Sequence, residues 1–416
     1  DMEADALEEV EVAPTEHVPA EAAPRFRASG LPSLVSTTFF ADRAGEGVLA
    51  LRARGIGTDW AAAGRESAVV SVYLDGAHNH DLILLRGETM AEYRTLLGPI
   101  DRGEHRIEVR FRPDLSPAGA LGAEVAAAAP EIKGSADPEY GAIAGAPIVY
   151  ARPDAAFSDS PLFLTYERLA TGYKYTMYVS NEDGGTPAAD LMAVWGRACD
   201  IDWVYRQGGN GKGYIQAFLH RQVAYRGAFE GQHPILRVST KNNMVSDQGA
   251  SRFKLRLPVV AAPAGSREQA LDQHPWVYRL TAAELAREGK IRAAGEREGL
   301  WSRLRGQQIG DMRRYVTIEF DHPGGDRIGF RARLAGSPAW FVSTGGRFYR
   351  AIKRSGAVRT SIELPPGASV AQLVALEPVT AGGKPYGKPV RILRAFGFDA
   401  DYRQIPLPAS LAPGAP

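Results

Sequence analysis

The sequence lacks several features that would restrict its structure or its chemistry. Cys199 is the only cysteine, so the chain cannot form an intramolecular disulfide and the redox compartment is left open. No run of roughly eighteen apolar residues occurs, and we therefore expect no membrane span. Walker-type phosphate loops, the Gly-x-Ser-x-Gly elbow and the His-Glu-x-x-His motif are also missing. The enzyme classes that these motifs mark are not expected.

Lys and Arg are missing from the first 24 positions, which carry eight acids. The rest of the chain holds all 49 Lys and Arg against 40 Asp and Glu, a net charge of +9. Residues 1–25 have few large apolar side chains, so we expect a disordered acidic tail. Alternatively, the tail docks on basic surface of its own or a neighbouring subunit and makes the protein a homo-oligomer. The charge of the body is too dilute to indicate a nucleic-acid partner.

Glycine and proline are frequent, at 45 and 28 residues, and hydrophobic residues alternate in short runs. In His105–Phe111, for example, Ile107, Val109 and Phe111 share one face and charged residues take the other. Six such runs at regular spacing between 26 and 113 predict an antiparallel β-sandwich of the immunoglobulin-like or jelly-roll kind. The fold class that we predict is mainly β and multi-domain.

The composition changes along the chain and divides it into six predicted regions. They are an acidic tail (1–25), a β-sandwich (26–113), an Ala/Gly/Pro linker (114–147), a central β domain (148–263), a short helical segment (264–314) and a C-terminal β region (315–406). Within the helical segment, the spacing of Trp276, Leu280 and Leu285 predicts an amphipathic helix that stops near Gly289.

The chemistry-bearing residues concentrate in the central domain. A tyrosine-rich strand ends at an acidic turn in which Glu182 and Asp183 precede two glycines. Carboxylates on a flexible backbone suit a divalent cation such as calcium, and Asp247 is the third predicted metal ligand. The alternative is an ordinary hairpin loop, because Asp-Gly and Gly-Gly pairs are common in such loops.

Asp200 and Asp202 flank Ile201 on the next predicted strand. Side chains two residues apart on a strand share a face, where two like charges disfavour joint ionisation, so one carboxyl could act as a base. We predict Asp202, Asp200 and His220 as catalytic residues. The alternative is that the two aspartates line the solvent face of a half-buried strand.

Aromatic and amide side chains follow these carboxylates. Carboxylates beside aromatic rings are typical of sugar-binding and sugar-cleaving sites. We predict that a ligand is bound by Trp203, Tyr205, Asn242, Asn243 and His233.

The order of these features between Tyr173 and Asp247 resembles the vacuolar protein sorting-associated protein 62 family. There, a Gly-rich acidic segment and a Gly-Asp-Trp-Glu-like motif precede a strand that ends in His and a later His-Pro strand. This chain departs from that pattern at Arg197–Trp203, which has no His before the aspartates and no acid after the Trp. The resemblance therefore implies no reaction and no ligand set.

The preferred function is an exported protein that binds carbohydrate or a cell-envelope polymer. The chain begins at Asp1 without a methionine, as a mature secreted or periplasmic protein would. One alternative is a metal- or carboxylate-dependent hydrolase that uses the central acidic and histidine cluster. Another is an extracellular structural protein that self-assembles through its acidic tail.

Overall fold

The computed structural model describes residues 33–182, 184–209, 212–249, 251–293, 308–408 and 411. The acidic tail predicted at 1–25 and the predicted ligand Asp183 lie outside these residues. Over the described part, the chain forms 25 strands and four α-helices, which confirms the mainly β fold class. None of the helices found there is both long and apolar enough to cross a membrane.

The chain forms two compact units. The first takes in the chain up to Asp183 together with Asp200–Ala261. The second consists of Gly184–Cys199 and the chain from Ala262 onward. The polypeptide thus leaves the first unit after the acidic turn, contributes one short helix to the second, and returns at Asp200.

The first unit begins with an antiparallel β-sandwich, as predicted. Its strands are β1 (Ser33–Ala41), β2 (Gly45–Ile56), β3 (Ala68–Leu74), β4 (Ala77–Leu84), β5 (Ala91–Ile100), β6 (Gly103–Phe111) and β7 (Gly122–Lys133). One sheet has the order β1-β6-β3-β4 and the other β5-β2-β7. The inward side chains of both sheets form one buried core, which includes Leu49, Leu51, Val70, Val72 and Val109.

The segment predicted as a linker, 114–147, instead contains strand β7. Strand β7 pairs with β2 in antiparallel fashion from Gly122 to Lys133, with one irregularity. Its middle is the alanine run 126–129, whose small side chains show no apolar alternation. The strand forms because the backbone groups of β2 need a partner on that side, and this requirement is invisible in the local sequence.

The central part of the first unit adds eleven strands and one short helix. They are helix α1 (Tyr140–Ala144) and strands β8 (Ile148–Ala151), β9 (Pro161–Leu169), β10 (Gly172–Val179), β11 (Asp200–Gln207), β12 (Gly213–Ala217), β13 (Arg221–Ala224), β14 (Phe229–Glu230), β15 (His233–Val238), β16 (Val245–Ser246), β17 (Phe253–Leu255) and β18 (Val259–Ala261). Strands β17, β8, β15 and β14 continue the sandwich sheet beyond β4, and β16 pairs with β15. The sandwich and the central strands therefore share a sheet.

A separate six-stranded sheet has the order β13-β12-β11-β10-β9-β18. Strands β10 and β11 lie at its centre and pair in antiparallel fashion, with an irregularity between Tyr175 and Thr176. There Tyr205 lies opposite Tyr175 and Trp203 lies opposite Thr176, so Val204 is an extra residue in β11. Such a bulge re-aims the side chains beside it.

The second unit is a smaller β structure with three helices, two of which lie in the predicted helical segment. Its elements are α2 (Ala188–Trp195), α3 (Gln269–Asp272), α4 (Trp276–Arg287), β19 (Tyr315–His322), β20 (Ile328–Leu334), β21 (Trp340–Val342), β22 (Gly356–Glu363), β23 (Leu373–Thr380), β24 (Arg391–Phe398) and β25 (Gln404–Pro406). Its sheets have the orders β22-β19-β24-β25 and β21-β20-β23. Residues of both sheets, such as Ile318, Phe330 and Ile362, share one buried core.

Buried charges also pair in this unit. The Arg359 guanidinium, which is inaccessible to solvent, donates to Asp272 Oδ2 at 2.8 Å and to Glu319 Oε2 at 2.9 Å. Glu268 lies between Arg197 and Arg267, each with its Nε 3.4 Å from Glu268 Oε1. Burial acts to raise the pKa of Glu268, but the charges of Arg267 and Arg197 outweigh it and lower that pKa to about 2.

Candidate functional site

Tyrosine side chains form a ladder across one face of the six-stranded sheet. Tyr175 on β10 lies directly opposite Tyr166 on β9 and Tyr205 on β11, so the three rings share a face. The Tyr175 ring is 6.4 Å from that of Tyr205 and 6.3 Å from that of Tyr173, which contacts Tyr166 edge-on at 5.7 Å. Tyr175 is fully buried, and its hydroxyl donates to Ala142 O at 2.8 Å.

The ladder continues toward the surface beyond Tyr205. The Tyr205 ring meets Tyr225 edge-on at 5.5 Å, and Tyr225 meets Phe229 edge-on at 5.2 Å. Phe229 is 51% exposed. The ladder therefore passes from a buried tyrosine to an exposed phenyl ring that is braced from behind.

Tyr225 is held rigidly in this arrangement. Its hydroxyl donates to Ala228 O and accepts a hydrogen bond from Ile235 N at 2.8 Å. Burial raises the pKa of Tyr225 to about 12 and also raises the pKa of Tyr205, so both hydroxyls stay protonated at neutral pH. The ladder carries no charge of its own.

A cleft of about 450 Å³ opens beside the exposed end of the ladder. Its lining residues are Thr171, Tyr205, Gln207, Gly208, Gly209, Lys212 and Phe229. The volume falls within the range of small-ligand sites, and the lining combines aromatic rings with a few polar groups, as such sites do.

One wall of the cleft is formed by Gly208, Gly209 and Lys212, which lie between β11 and β12. Gly208 N donates to Lys212 O at 2.6 Å and closes this connection. A Cβ on Gly208 would lie 2.7 Å from Tyr214 Cε2, so only glycine lets the backbone approach that ring. A glycine is therefore required at position 208 to shape the wall.

Gln207 is oriented by the neighbouring strand. Its Oε1 accepts a hydrogen bond from Tyr173 N at 3.0 Å. Gly172 makes room for this contact, because a Cβ there would lie 2.3 Å from Gln207 Oε1. The amide of Gln207 is thus positioned before any ligand arrives.

Two of the three predicted catalytic residues lie together. His220 Nδ1 is 3.8 Å from Asp202 Oδ1. Gln216 lies between them and donates through Nε2 to Asp202 Oδ1 at 3.3 Å and to His220 Nδ1 at 2.5 Å. The His220 side chain is 51% exposed and that of Asp202 14%, so a substrate could reach the imidazole.

The backbone that presents His220 is unusual. Strand β12 ends at Ala217, and a 3₁₀ turn, Phe218–His220, follows it. Leu219 and His220 both have positive φ angles, of 58° and 56°. Non-glycine residues in this region cost on the order of 1 kcal/mol or more each, and such strain clusters at functional sites.

Asp200, the third predicted catalytic residue, belongs to a different cluster. It is 4% exposed, and its Oδ2 accepts a hydrogen bond from Asn243 Nδ2 at 3.1 Å. The same Nδ2 donates to Asn181 O at 3.2 Å, and Glu182 is buried next to Asn181 in the chain. Asn243 thus links the point where the chain leaves the first unit, near Asn181, to the point where it returns, at Asp200.

His233 is a core residue of the first unit. It is 1% exposed; Nδ1 is 2.7 Å from Ala146 O and Nε2 is 3.1 Å from Glu46 Oε2. Both ring nitrogens have protein partners, so the contacts of His233 are structural and its ring does not face a ligand. The alternation along a strand shows which residues share a face. It does not show whether a histidine at the first position of the strand, such as His233, points into the core.

The other predicted residues lie in separate places. Trp203 is partly exposed on β11, and Tyr205 lines the cleft. Asn242 is partly exposed in the turn after β15. Asp247 Oδ2 accepts a hydrogen bond from Arg226 N at 2.7 Å. Over the described residues, no three His, Cys, Asp or Glu side chains are grouped so as to hold a metal ion.

Several residues of the cleft were not singled out from the sequence. They are Phe229, Gln207 and Lys212, and Gln216 of the neighbouring Asp202–His220 cluster was missed as well. Phe229 follows a stretch without clear alternation, and Lys212 follows a Gly-rich turn. The sequence signal that could have pointed to the cleft was an aromatic residue near a glycine-rich turn. The sequence alone does not show that positions 207 and 229 lie close together.

Several solved structures are distantly similar to parts of this chain. No protein-family model and no curated protein matches the sequence. One similar structure is a ruminal GH26 endo-β-1,4-mannanase, at 11% identity and TM-score 0.19 over 24% of this chain and 18% of that chain. The EclA C-terminal domain, a sugar-binding protein, matches at 13% identity and TM-score 0.19 over 24% and 68%. A family 35 carbohydrate-binding module from an environmental isolate matches at 12% identity and TM-score 0.16 over 24% and 70%.

These TM-scores carry no argument about this chain, and the resemblance to the vacuolar protein sorting-associated protein 62 family stays a prediction.

Proposed function

We propose that this protein binds carbohydrate in the cleft beside Phe229. The observation that carries the proposal is a half-exposed phenyl ring that faces a concave site with an oriented amide and an ammonium group. The C–H face of a sugar ring packs on an aromatic ring, and sugar hydroxyls pair with amide and hydroxyl groups. Because Tyr225 braces Phe229 from behind, the platform needs little reorganisation on binding.

We also propose the class of ligand and the cellular location of the protein. The ligand is a polysaccharide or a cell-envelope polymer. A protein that binds such a polymer is secreted or periplasmic. Fractionation of cells that express the full-length natural protein tests the location. Recovery of the protein only from the cytoplasm would argue against it.

The binding test uses the whole chain and a set of soluble polysaccharides in affinity electrophoresis. We expect retardation by at least one polymer and its loss in Phe229→Ala. Phe40→Ala is the matched control, because Phe40 is also an exposed phenylalanine of the first unit, at 67% exposure, and does not line the cleft. Equal retardation of the wild type and both variants would remove the cleft from the proposal.

A second candidate function is hydrolysis at the cluster of Asp202, Gln216 and His220. The observation that favours it is the hydrogen-bonded bridge of Gln216 between a carboxylate and the accessible imidazole of His220, in a turn where Leu219 and His220 itself are strained. The imidazole could exchange a proton with a substrate while Gln216, which is itself bound to Asp202, holds the ring in place. The candidate does not require a metal ion.

This candidate predicts that Asp202→Asn and His220→Gln each lower hydrolysis of polysaccharide or ester substrates by at least about 100-fold. Asp247→Asn is the control, because Asp247 is a partly exposed carboxylate of the same unit whose Oδ2 accepts a hydrogen bond from Arg226 N. Unchanged activity in the Asp202 and His220 variants would rule out this candidate function.

Self-assembly through the acidic tail remains a separate prediction, which light scattering of the chain without residues 1–24 would test.

A further inference from the structure

The hairpin region around the cleft carries a one-sided charge. Between Asp202 and Glu230 the sequence has no acid and four bases. These four are Arg206 on β11, Lys212 in the connection to β12, Arg221 on β13 and Arg226 after β13. We refer to them as the basic hairpin. The whole chain is nearly neutral, at +1, so this local excess is not a consequence of overall composition.

All four cations of the basic hairpin are exposed. Within the described ranges, none of their side chains forms an ion pair or a hydrogen bond. Neighbouring cations behave differently: Lys174 Nζ is 2.9 Å from Glu167 Oε1, and Lys254 Nζ is 2.6 Å from Glu230 Oε2. Lys212, which lines the cleft, is therefore left for an external anion, whereas Lys174 and Lys254 are neutralised internally.

Exposed apolar residues occupy the same segment. Phe218, Leu219, Val223 and Phe229 are 61%, 58%, 39% and 51% exposed. Strand β13 is the edge of its sheet, and all of its residues are exposed. A ligand that contacts this segment meets apolar surface and positive charge together.

We infer that the cleft takes an acidic polysaccharide, whose repeating units carry carboxylates. This inference rests on the proposed function and narrows its ligand class. A uronic acid unit offers a C–H face to Phe229 and a carboxylate to Lys212, both of which line the cleft. Neighbouring units of the polymer would meet Arg221 and Arg226, whereas Arg206 follows Tyr205 on β11 and faces the other side of the sheet. A neutral glycan would use the ring and leave the ammonium of Lys212 without a partner.

The experiment measures binding of the whole chain to polygalacturonate, alginate and hyaluronate by titration calorimetry. For the acidic polymer that binds most tightly, the carboxylates are then methyl-esterified, which keeps the sugar and removes the charge. We expect the ester to bind at least about fivefold more weakly, and we expect affinity for the acid form to fall as salt rises.

Lys212→Met tests the residue inside the cleft, because it removes the ammonium and keeps most of the apolar stem. It should weaken binding of the acidic polymer by about threefold and leave binding of the ester unchanged. Lys384→Met is the matched control, since Lys384 is an exposed lysine of the second unit. It should change neither affinity.

The possible outcomes separate the inference from the proposed function. Equal binding of acid and ester, with loss of both in Phe229→Ala, overturns the inference and leaves carbohydrate binding standing. Binding to none of the three acidic polymers, with binding to neutral ones, has the same meaning. Tighter binding of single-stranded DNA, or of a peptide of residues 1–24, would overturn the assignment to a polysaccharide. Absence of binding to every glycan tested removes the proposed function as well.

Discussion

Replacing Phe229 with alanine should weaken carbohydrate binding about tenfold. A phenylalanine side chain presents on the order of 200 Å² of surface, and Phe229 is 51% exposed, which leaves about 100 Å² accessible. A sugar that stacks on one face covers about half of this area. At about 25 cal/mol per Å², the lost contact is worth about 1.3 kcal/mol, or close to a factor of ten in Kd.

Titration calorimetry with the best polysaccharide ligand measures this change. The variant should remain folded, because Phe229 lies at the exposed end of the ladder and its loss leaves the Tyr205–Tyr225 contact in place. Near-ultraviolet circular dichroism of the tyrosines reports whether the ladder persists. Phe229→Tyr is an informative second variant, because it keeps the ring and should retain most of the affinity.

A change of less than about twofold in Phe229→Ala, with the ladder intact, would refute the stacking argument. The same would follow if Phe40→Ala weakened binding as much as Phe229→Ala. A tenfold loss in both Phe229→Ala and Phe229→Tyr would mean that shape, and not the aromatic face, decides binding.

Two further changes test buried charges. His233→Ala should lower the free energy of unfolding by about 3 kcal/mol, since Glu46 stays buried without its partner; a loss below about 1 kcal/mol in urea titration would contradict this pairing. Glu268 has a folded pKa of about 2 against 4.5 for the free side chain, so its stabilisation is present above about pH 4.5 and is lost as pH falls toward 2. Lowering the pH from about 5 to about 3 should therefore reduce the free energy of unfolding of the second unit by about 2 kcal/mol. Glu268→Gln should remove that part of the pH dependence. An unchanged pH dependence in this variant would show that Glu268 is not held by Arg267 and Arg197.

Much of the secondary structure follows from local pattern. The alternating run His105–Phe111 forms most of strand β6 (Gly103–Phe111), and the helix expected to stop near Gly289 spans Trp276–Arg287. Both segments have a clear hydrophobic period. This period depends only on the order of residues within each segment, so the sequence shows it directly. The alanines of β7 have no hydrophobic period, so the sequence pattern predicted a linker there. Pairing with β2 makes this segment a strand instead.

The candidate site was only partly accessible from the sequence. The pattern pointed to Asp202, His220 and Tyr205, and the structure places Asp202 and His220 side by side and Tyr205 in the cleft. It did not point to Phe229, because what makes that ring a platform is its contact with Tyr225. Nor did it show that His233 is enclosed by the protein, since burial depends on which strands cover a residue.

The sequence by itself determined the mainly β class, the charge asymmetry of the acidic tail and the run of four bases without an acid between Asp202 and Glu230. These properties depend on composition and on short-range order along the chain. Only the tertiary structure decided that the tyrosines of β9, β10 and β11 form one ladder, and that the ladder ends at a cleft beside the basic hairpin. Strand register and the bulge at Val204 bring these groups together, and both are set by pairing between segments that are distant in sequence.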